Sequence, residues 1–219
     1  MVKVDVDLKE FNKAMSEYMQ FAKKAPSEVI NSKCYFIARN ATFTTGASNK
    51  EKIRSELTSP SKKNPNVPLA AILVNKQLKT KGKKGLSGKE MGTAIKKFIN
   101  KRISSINFLR SGWLPAIKIL QTAIQRGDIT FSKKFQPPVN RVVKQRGKDK
   151  GNAVYARSNT DRCYAEIENS VQGSNGISTP DVQKRLMDGL QAAVDKEVKS
   201  MRDYIERKYN EAAKKFNGS

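Results

Sequence analysis

The sequence predicts an α+β protein in which a small antiparallel sheet packs with long N- and C-terminal helices around a central helical insertion. Three observations predict it. Val2, Val4 and Val6 alternate with Lys3, Asp5 and Asp7, the period of a half-buried strand. Two more alternating runs, "NAVYARS" and "RCYAEIENSV", are separated only by "NTD" and read as an antiparallel pair. Most of the remaining chain repeats its apolar residues at helical spacing.

In chain order, Asp7 with Glu10 makes a capping-box pattern. The helix it opens carries Leu8, Phe11, Met15, Tyr18, Met19 and Phe21 as one stripe. Pro26 breaks that helix, and Ser27 caps a second whose stripe is Ile30, Cys34, Ile37, Ala38 and Ala41. Residues 44–68 form a turn-rich connection with a short helix around Lys50–Leu57. The run "LAAILVNKQL" from Leu69 fits a buried strand or a helix by period. Its alanines and the flexible "KTKGKKGLSG" that follows favour helix.

Ser87 with Glu90 signals the next helix, with Met91, Ile95, Phe98, Ile99, Ile103 and Ile106 inward. "LPAIKILQTAIQRG" makes another, opened by Pro115 and stopped by Gly127. Residues 128–152 hold two prolines, two glycines and no sustained period, and read as a basic exposed loop. In the strand pair, Tyr155, Tyr164 and Ile167 are the expected packed positions. Thr179-Pro180 then starts a terminal helix of about 36 residues, roughly 54 Å long. Its stripe runs through Val182, Leu186, Leu190, Ala193, Val194, Met201, Ile205, Ala212 and Phe216. That length exceeds what a small domain covers, so part of it is expected to meet another subunit, with Met201, Ile205, Tyr209 and Phe216 as the interface candidates.

The 219 residues allow a core without disulfide or metal staples. The net charge of +23 comes from 43 Lys and Arg against 20 Asp and Glu, with no histidine. It is uneven, since residues 62–118 alone carry 14 basic groups and 1 acidic group. Such a field attracts polyanions without reading their sequence. The candidate contacts are Lys79, Lys81, Lys83, Lys84, Lys96, Lys97, Lys101 and Arg102, with Lys144, Arg146 and Lys148 in the later basic loop.

The missing histidine excludes His-based triads and His metal ligation. Cys34 and Cys163 match no ligand spacing, and Cys34 falls on an apolar helical face, as a buried free thiol does. Phosphate loops, dinucleotide fingerprints and nucleophile elbows are missing from the sequence as well. Asp5 with Asp7, and Glu166 with Glu168, can each share one side of a strand, which exposed alternation explains without catalysis. A soluble, non-enzymatic protein of a reducing compartment is therefore expected, without cofactor, metal, small-molecule substrate or membrane span.

Trp113 is the only tryptophan and follows Gly112 in "FLRSGWLPAIKIL". Few aromatics interleave with the basic tract, so it lacks the platform on which bases stack. Trp113 reads as a packing anchor at a helix–helix corner, with base stacking as the alternative. Phe108, Leu109, Gly112 and Pro115 complete the joint.

Residues 2–46, from "VKVDVD" to "ATFTTG", resemble the start of tail-completion and neck proteins of tailed bacteriophages, keeping Ala41, Thr45 and Gly46 of the family's turn. The later strand pair followed by "TPDVQKRLMDGLQAAVDKEV" is similar to the end of the same family. The block "GLSGKEMGTAIKKFINKRISSINFLRSGWLPAIKIL" resembles larger phage minor structural proteins through Phe108, Leu109, Gly112 and Trp113. The resemblance implies a non-enzymatic virion subunit that assembles as a homo-oligomeric ring at the head–tail junction or tail end, beside other neck or tail proteins. The expected organisation is an α+β core from 1–68 and 153–219, a basic helical insertion over 69–127 and the basic loop 128–152. A sequence-non-specific nucleic-acid-binding protein and a capsid-associated structural protein are the alternatives.

Overall fold

A computed structural model describes residues 8–22, 24–47, 49–61, 64–124, 135–157, 163–172 and 180–217. It is mostly helical, with a small antiparallel strand set and a long C-terminal helix. The chain forms two compact units, Met1–Gly46 with Phe108–Ser219, and Ala47–Asn107. The divisions thus fall at 46/47 and 107/108, where the sequence suggested 68/69 and 127/128. The predicted strand at 2–6 and its cap Asp7 lie outside the described residues.

In the larger unit, α1 (Lys9–Phe21) and α2 (Pro26–Thr44) both pack on α9 (Pro180–Asn217). Pro26 does not merely end α1. It sits in the first turn of α2, where a missing N–H costs nothing, and Ala25 rather than Ser27 is the N-cap. Ser27 is buried instead. The other face of α2 meets α7 (Leu114–Ile124), so the helix is covered on two sides. That explains why its buried residues, Val29, Tyr35, Ile37, Ala38, Ala41 and Thr42 among them, exceed the single stripe predicted. Leu8, expected in the α1 stripe, is exposed, while Ala14 joins Phe11 and Met15 inside.

Gly189 lies inside α9, near its third turn, where glycine costs about 1 kcal/mol relative to alanine. Its place is set by close approach, because a Cβ there would come within 3 Å of the Thr45 backbone. Thr44 Oγ1 donates to the Gly189 carbonyl across 2.5 Å at the same crossing. The core gathers Phe11, Met15, Tyr35, Ile37, Trp113, Ile117, Leu120, Leu186, Val194 and Met201.

The basic loop expected over 128–152 is corrected from residue 135 on, where it holds a helix and a strand although most of its basic side chains stay exposed; 128–134 lie outside the described residues. Asn140 accepts the Val143 N–H and starts α8 (Arg141–Gly147), which buries Val143 completely. β3 (Gly151–Val154) then pairs antiparallel with β4 (Glu166–Asn169), Ala153 opposite Ile167. Ala153 and Ile167 face the core, whereas Tyr155 and Tyr164 are exposed. The two tyrosines were expected to pack; the pair is shorter than predicted, and both lie beyond its ends.

The smaller unit has its own core of Leu57, Ala70, Val74, Phe98 and Ile99. It joins α3 (Lys50–Thr58), α4 (Leu69–Thr80) and α5 (Gly88–Ser104). Asn49 caps α3 by accepting from the amides of Glu51 and Lys52. A short antiparallel pair, β1 (Pro60–Ser61) with β2 (Asn64–Pro68), fills what the sequence suggested was only a turn-rich connection. Residues 69–80 are helical, as their alanines favoured. Ser87 precedes α5, but its side chain makes no capping hydrogen bond.

Candidate functional site

Three places in the fold combine unusual residue chemistry with defined geometry. The first is Trp113, which stands between the short helix α6 (Phe108–Ser111) and α7. It is 2 % exposed, and its Nε1 donates to Thr45 Oγ1 across 2.9 Å. Thr45, just past the end of α2, is fully buried. Arg110 reaches the same corner, donating from Nε to the Thr45 carbonyl at 2.8 Å and from Nη2 to the Phe43 carbonyl at 3.1 Å. Desolvation lowers the Arg110 pKa from its ordinary value. A ring so enclosed cannot stack on a base.

The other residues of the predicted joint have distinct tasks. Gly112 has no positive φ; it is a contact glycine, because a Cβ there would run into the Asn169 side chain and Val171. Asn169 Nδ2 in turn donates to the Leu109 carbonyl at 2.8 Å. Leu109 packs on the core, and Pro115 lies in the first turn of α7. Phe108 carries the Arg146 guanidinium over its ring, 4.5 Å from the centroid.

The second place is a buried charge cluster between α2 and α9. Lys33 Nζ and Glu197 Oε2 approach to 3.5 Å with side chains 9% and 7% exposed. Asn40 Nδ2 donates to the other carboxylate oxygen at 3.1 Å, and the Lys33 ammonium sits 4.4 Å from the Tyr18 ring centroid. Burial raises the Glu197 pKa; Lys33 and Asn40 oppose that shift without reversing it. Nearby, Asn31 holds Ala156 by both backbone groups, accepting its N–H at 2.6 Å and donating to its carbonyl at 3.0 Å. A pocket beside this cluster is lined by Tyr18, Lys24, Glu28, Ser32, Lys33 and Phe36, among others.

None of these long-range pairs has a periodic signature. Lys33 was legible only as a charge between Val29 and Ile37, on a helix whose second buried face the sequence reading missed.

The third place is the surface of the smaller unit. Its 61 residues contain 15 Lys and Arg against 3 Asp and Glu. The polyanion candidates Lys79, Lys81, Lys83, Lys84, Lys96, Lys97 and Lys101 are all exposed on it. None of them lies within ion-pairing distance of a carboxylate among the described residues. Arg102 is only half exposed and covers the Phe98 ring at 5.2 Å. Lys144, Arg146 and Lys148 fall on the larger unit instead, with Lys148 paired to Asp149 and Arg146 on Phe108.

The interface candidates divide as well. Met201 and Ile205 are buried in the chain's own core, since α1 and α2 cover that part of α9, which corrects their assignment to a subunit surface. Tyr209 and Phe216 stand out at 59% and 90% exposure.

Cys34 is half-buried and its thiol is pushed up to about 12 by desolvation, which makes it a poor nucleophile. Glu166 and Glu168 are both exposed on β4, while Asp5 and Asp7 lie outside the described residues. Among the described residues no group of acidic or cysteine side chains is placed to hold a metal, and no helix is long and apolar enough to cross a membrane. Protein-family models, curated proteins and solved structures contain no match to this chain.

Proposed function

We propose that this chain is a non-enzymatic structural subunit of a tailed-bacteriophage particle, assembling as a homo-oligomeric ring at the neck or tail end. In this reading the unit 47–107 is a basic helical insertion in an α+β core, and the partners are further copies and other neck or tail proteins. The order of the resembling segments along the chain supports it.

The observation that carries the assembly is the overhang of α9. The helix has 38 residues, roughly 57 Å at 1.5 Å per residue. Its buried stripe ends at Ile205, and from Glu206 to Phe216 only Lys208 is even half-buried. Tyr209 still meets Phe21 edge-on, 4.9 Å between ring centroids, but Phe216 has no such cover. A helix that runs past its own buried stripe leaves turns that a neighbouring copy in a closed ring can cover.

The test is particle composition. Mass spectrometry of purified virions is expected to find the chain at a fixed stoichiometry, and electron microscopy of labelled particles to place it at the head–tail junction or tail end. Its absence from particles would overturn the assignment.

A further inference from the structure

We infer that the exposed face of α5 binds the phosphate backbone of duplex nucleic acid without reading its sequence. The proposal stands on the charge map and not on the ring assignment. Helical geometry puts Lys89, Thr93, Lys96, Lys97, Asn100 and Lys101 on one side of α5, and all six are exposed. Phe98 and Ile99 hold the opposite side in the unit's core, with Met91, Ile95 and Ile103 packed against it. The four lysines therefore form a row about 18 Å long on a helix anchored from behind.

The neighbouring turn extends the field. Gly82, at φ +67, ends α4 with paired hydrogen bonds, Gly82 N–H to Lys79 carbonyl and Lys83 N–H to Leu78 carbonyl. Asn75 then accepts the Leu86 amide at 3.0 Å and ties the far end of the lysine-rich turn back to α4. The cations are thus presented on a built surface; Glu90 is the one acidic residue of α5, and among the described residues no carboxylate lies within ion-pairing distance of the row.

The chemistry around the row selects the partner. Among the described residues of this unit no large apolar side chain is exposed, which leaves nothing to insert between lipid chains or to stack on a base. Lysine offers a point charge without the planar fork that reads base edges or grips carboxylates in pairs. What remains is ion pairing to a dense phosphate array, driven by counterion release.

The test measures binding of the full-length chain to a labelled mixed-sequence 30-base-pair duplex as salt is raised. With four phosphate contacts, affinity should fall about 100-fold between 50 and 200 mM salt. Lys89→Gln, Lys96→Gln, Lys97→Gln and Lys101→Gln combined should remove most of that slope while circular dichroism shows an unchanged fold. A control with equal charge loss on the larger unit, Lys144→Gln, Lys148→Gln, Lys199→Gln and Lys214→Gln, should keep it.

Equal loss in the control, no duplex binding at 50 mM salt, or a strong preference for one sequence would each overturn the proposal. So would tighter binding to phosphatidylserine vesicles or to polyglutamate at the same salt. Because this assay uses the dilute isolated chain and the assembly test uses virions, either reading can fail while the other stands.

Discussion

Trp113 and Thr45 are 68 positions apart in sequence and are joined by one buried hydrogen bond, indole N–H to hydroxyl, at 2.9 Å. The indole also fills the corner between α2 and α7, so it contributes volume and a donor together. Trp113→Ala is expected to lose about 3–5 kcal/mol of stability, the usual range for a large buried ring. Trp113→Phe keeps most of the volume but strands the Thr45 hydroxyl, and should cost about 1–3 kcal/mol. Urea denaturation of the two variants checks both values. Duplex affinity of folded Trp113→Phe should match wild type.

Lys33 and Glu197 make a pair whose burial costs more than an exposed pair would. Removing one partner leaves a charge in the core, so Lys33→Met should lose about 3–5 kcal/mol, and Lys33→Met with Glu197→Met should recover much of it. Equal instability of the single and double variants would show that the pair is not the cause.

The same site gives a signed pH dependence. Burial raises the Glu197 pKa above its ordinary 4.5, so the folded chain holds this proton more tightly than the unfolded chain. The stability that protonation adds is fully present below the unfolded value and is lost as pH rises through the folded one. The difference in unfolding free energy between wild type and Glu197→Gln should therefore shift against wild type as pH climbs from 4.5. A flat difference curve would show that Lys33 and Asn40 compensate the desolvation completely.

Two glycines should respond in opposite directions. A Cβ at Gly151 would collide with the backbone carbonyls of Gly112 and Glu168, neither of which can swing aside, so Gly151→Ala should destabilise by about 1–3 kcal/mol or more. At Gly92 in α5 nothing lies within 4 Å, and Gly92→Ala should stabilise that helix by about 1 kcal/mol. Amide exchange read separately in α5 and in β3 distinguishes the two effects.

Phe216 is the most exposed large apolar side chain among the described residues. Phe216→Glu should leave the thermal unfolding of the dilute chain unchanged and weaken self-association, measured by sedimentation across a concentration series. Unaltered association would move the contact off the α9 overhang.

Much of this fold was legible because helical period survives in single sequences. The inward face of α5 and the α9 stripe as far as Ile205 follow from spacing, while the helix from Leu69 followed from its alanines, since its period fitted a strand equally well. The misreadings share a physical cause, which is dependence on distant partners. Val143 looked like part of a basic loop because its burial is made by other segments of the larger unit. Tyr155 and Tyr164 looked packed because alternation was extended past the four residues that pair. Met201 and Ile205 looked available because the length of α9 was visible while its cover by α1 and α2 was not. The lysine row was legible as charge, and the structure supplied the face it shares.

The Arg110 bonds to Phe43 and Thr45 have a consequence for how this chain can vary. They stitch the end of α2 to the start of α6, the two points where residues 47–107 leave and rejoin the larger unit. The closure is thus made by the host side and not by the excursion, and its entropic cost grows only by about 0.6 kcal/mol for each doubling of the intervening length. The seam acts as a clasp: Arg110 holds the mouth of the excursion shut from the larger unit's own residues, at an entropic cost that depends only weakly on how much chain lies between.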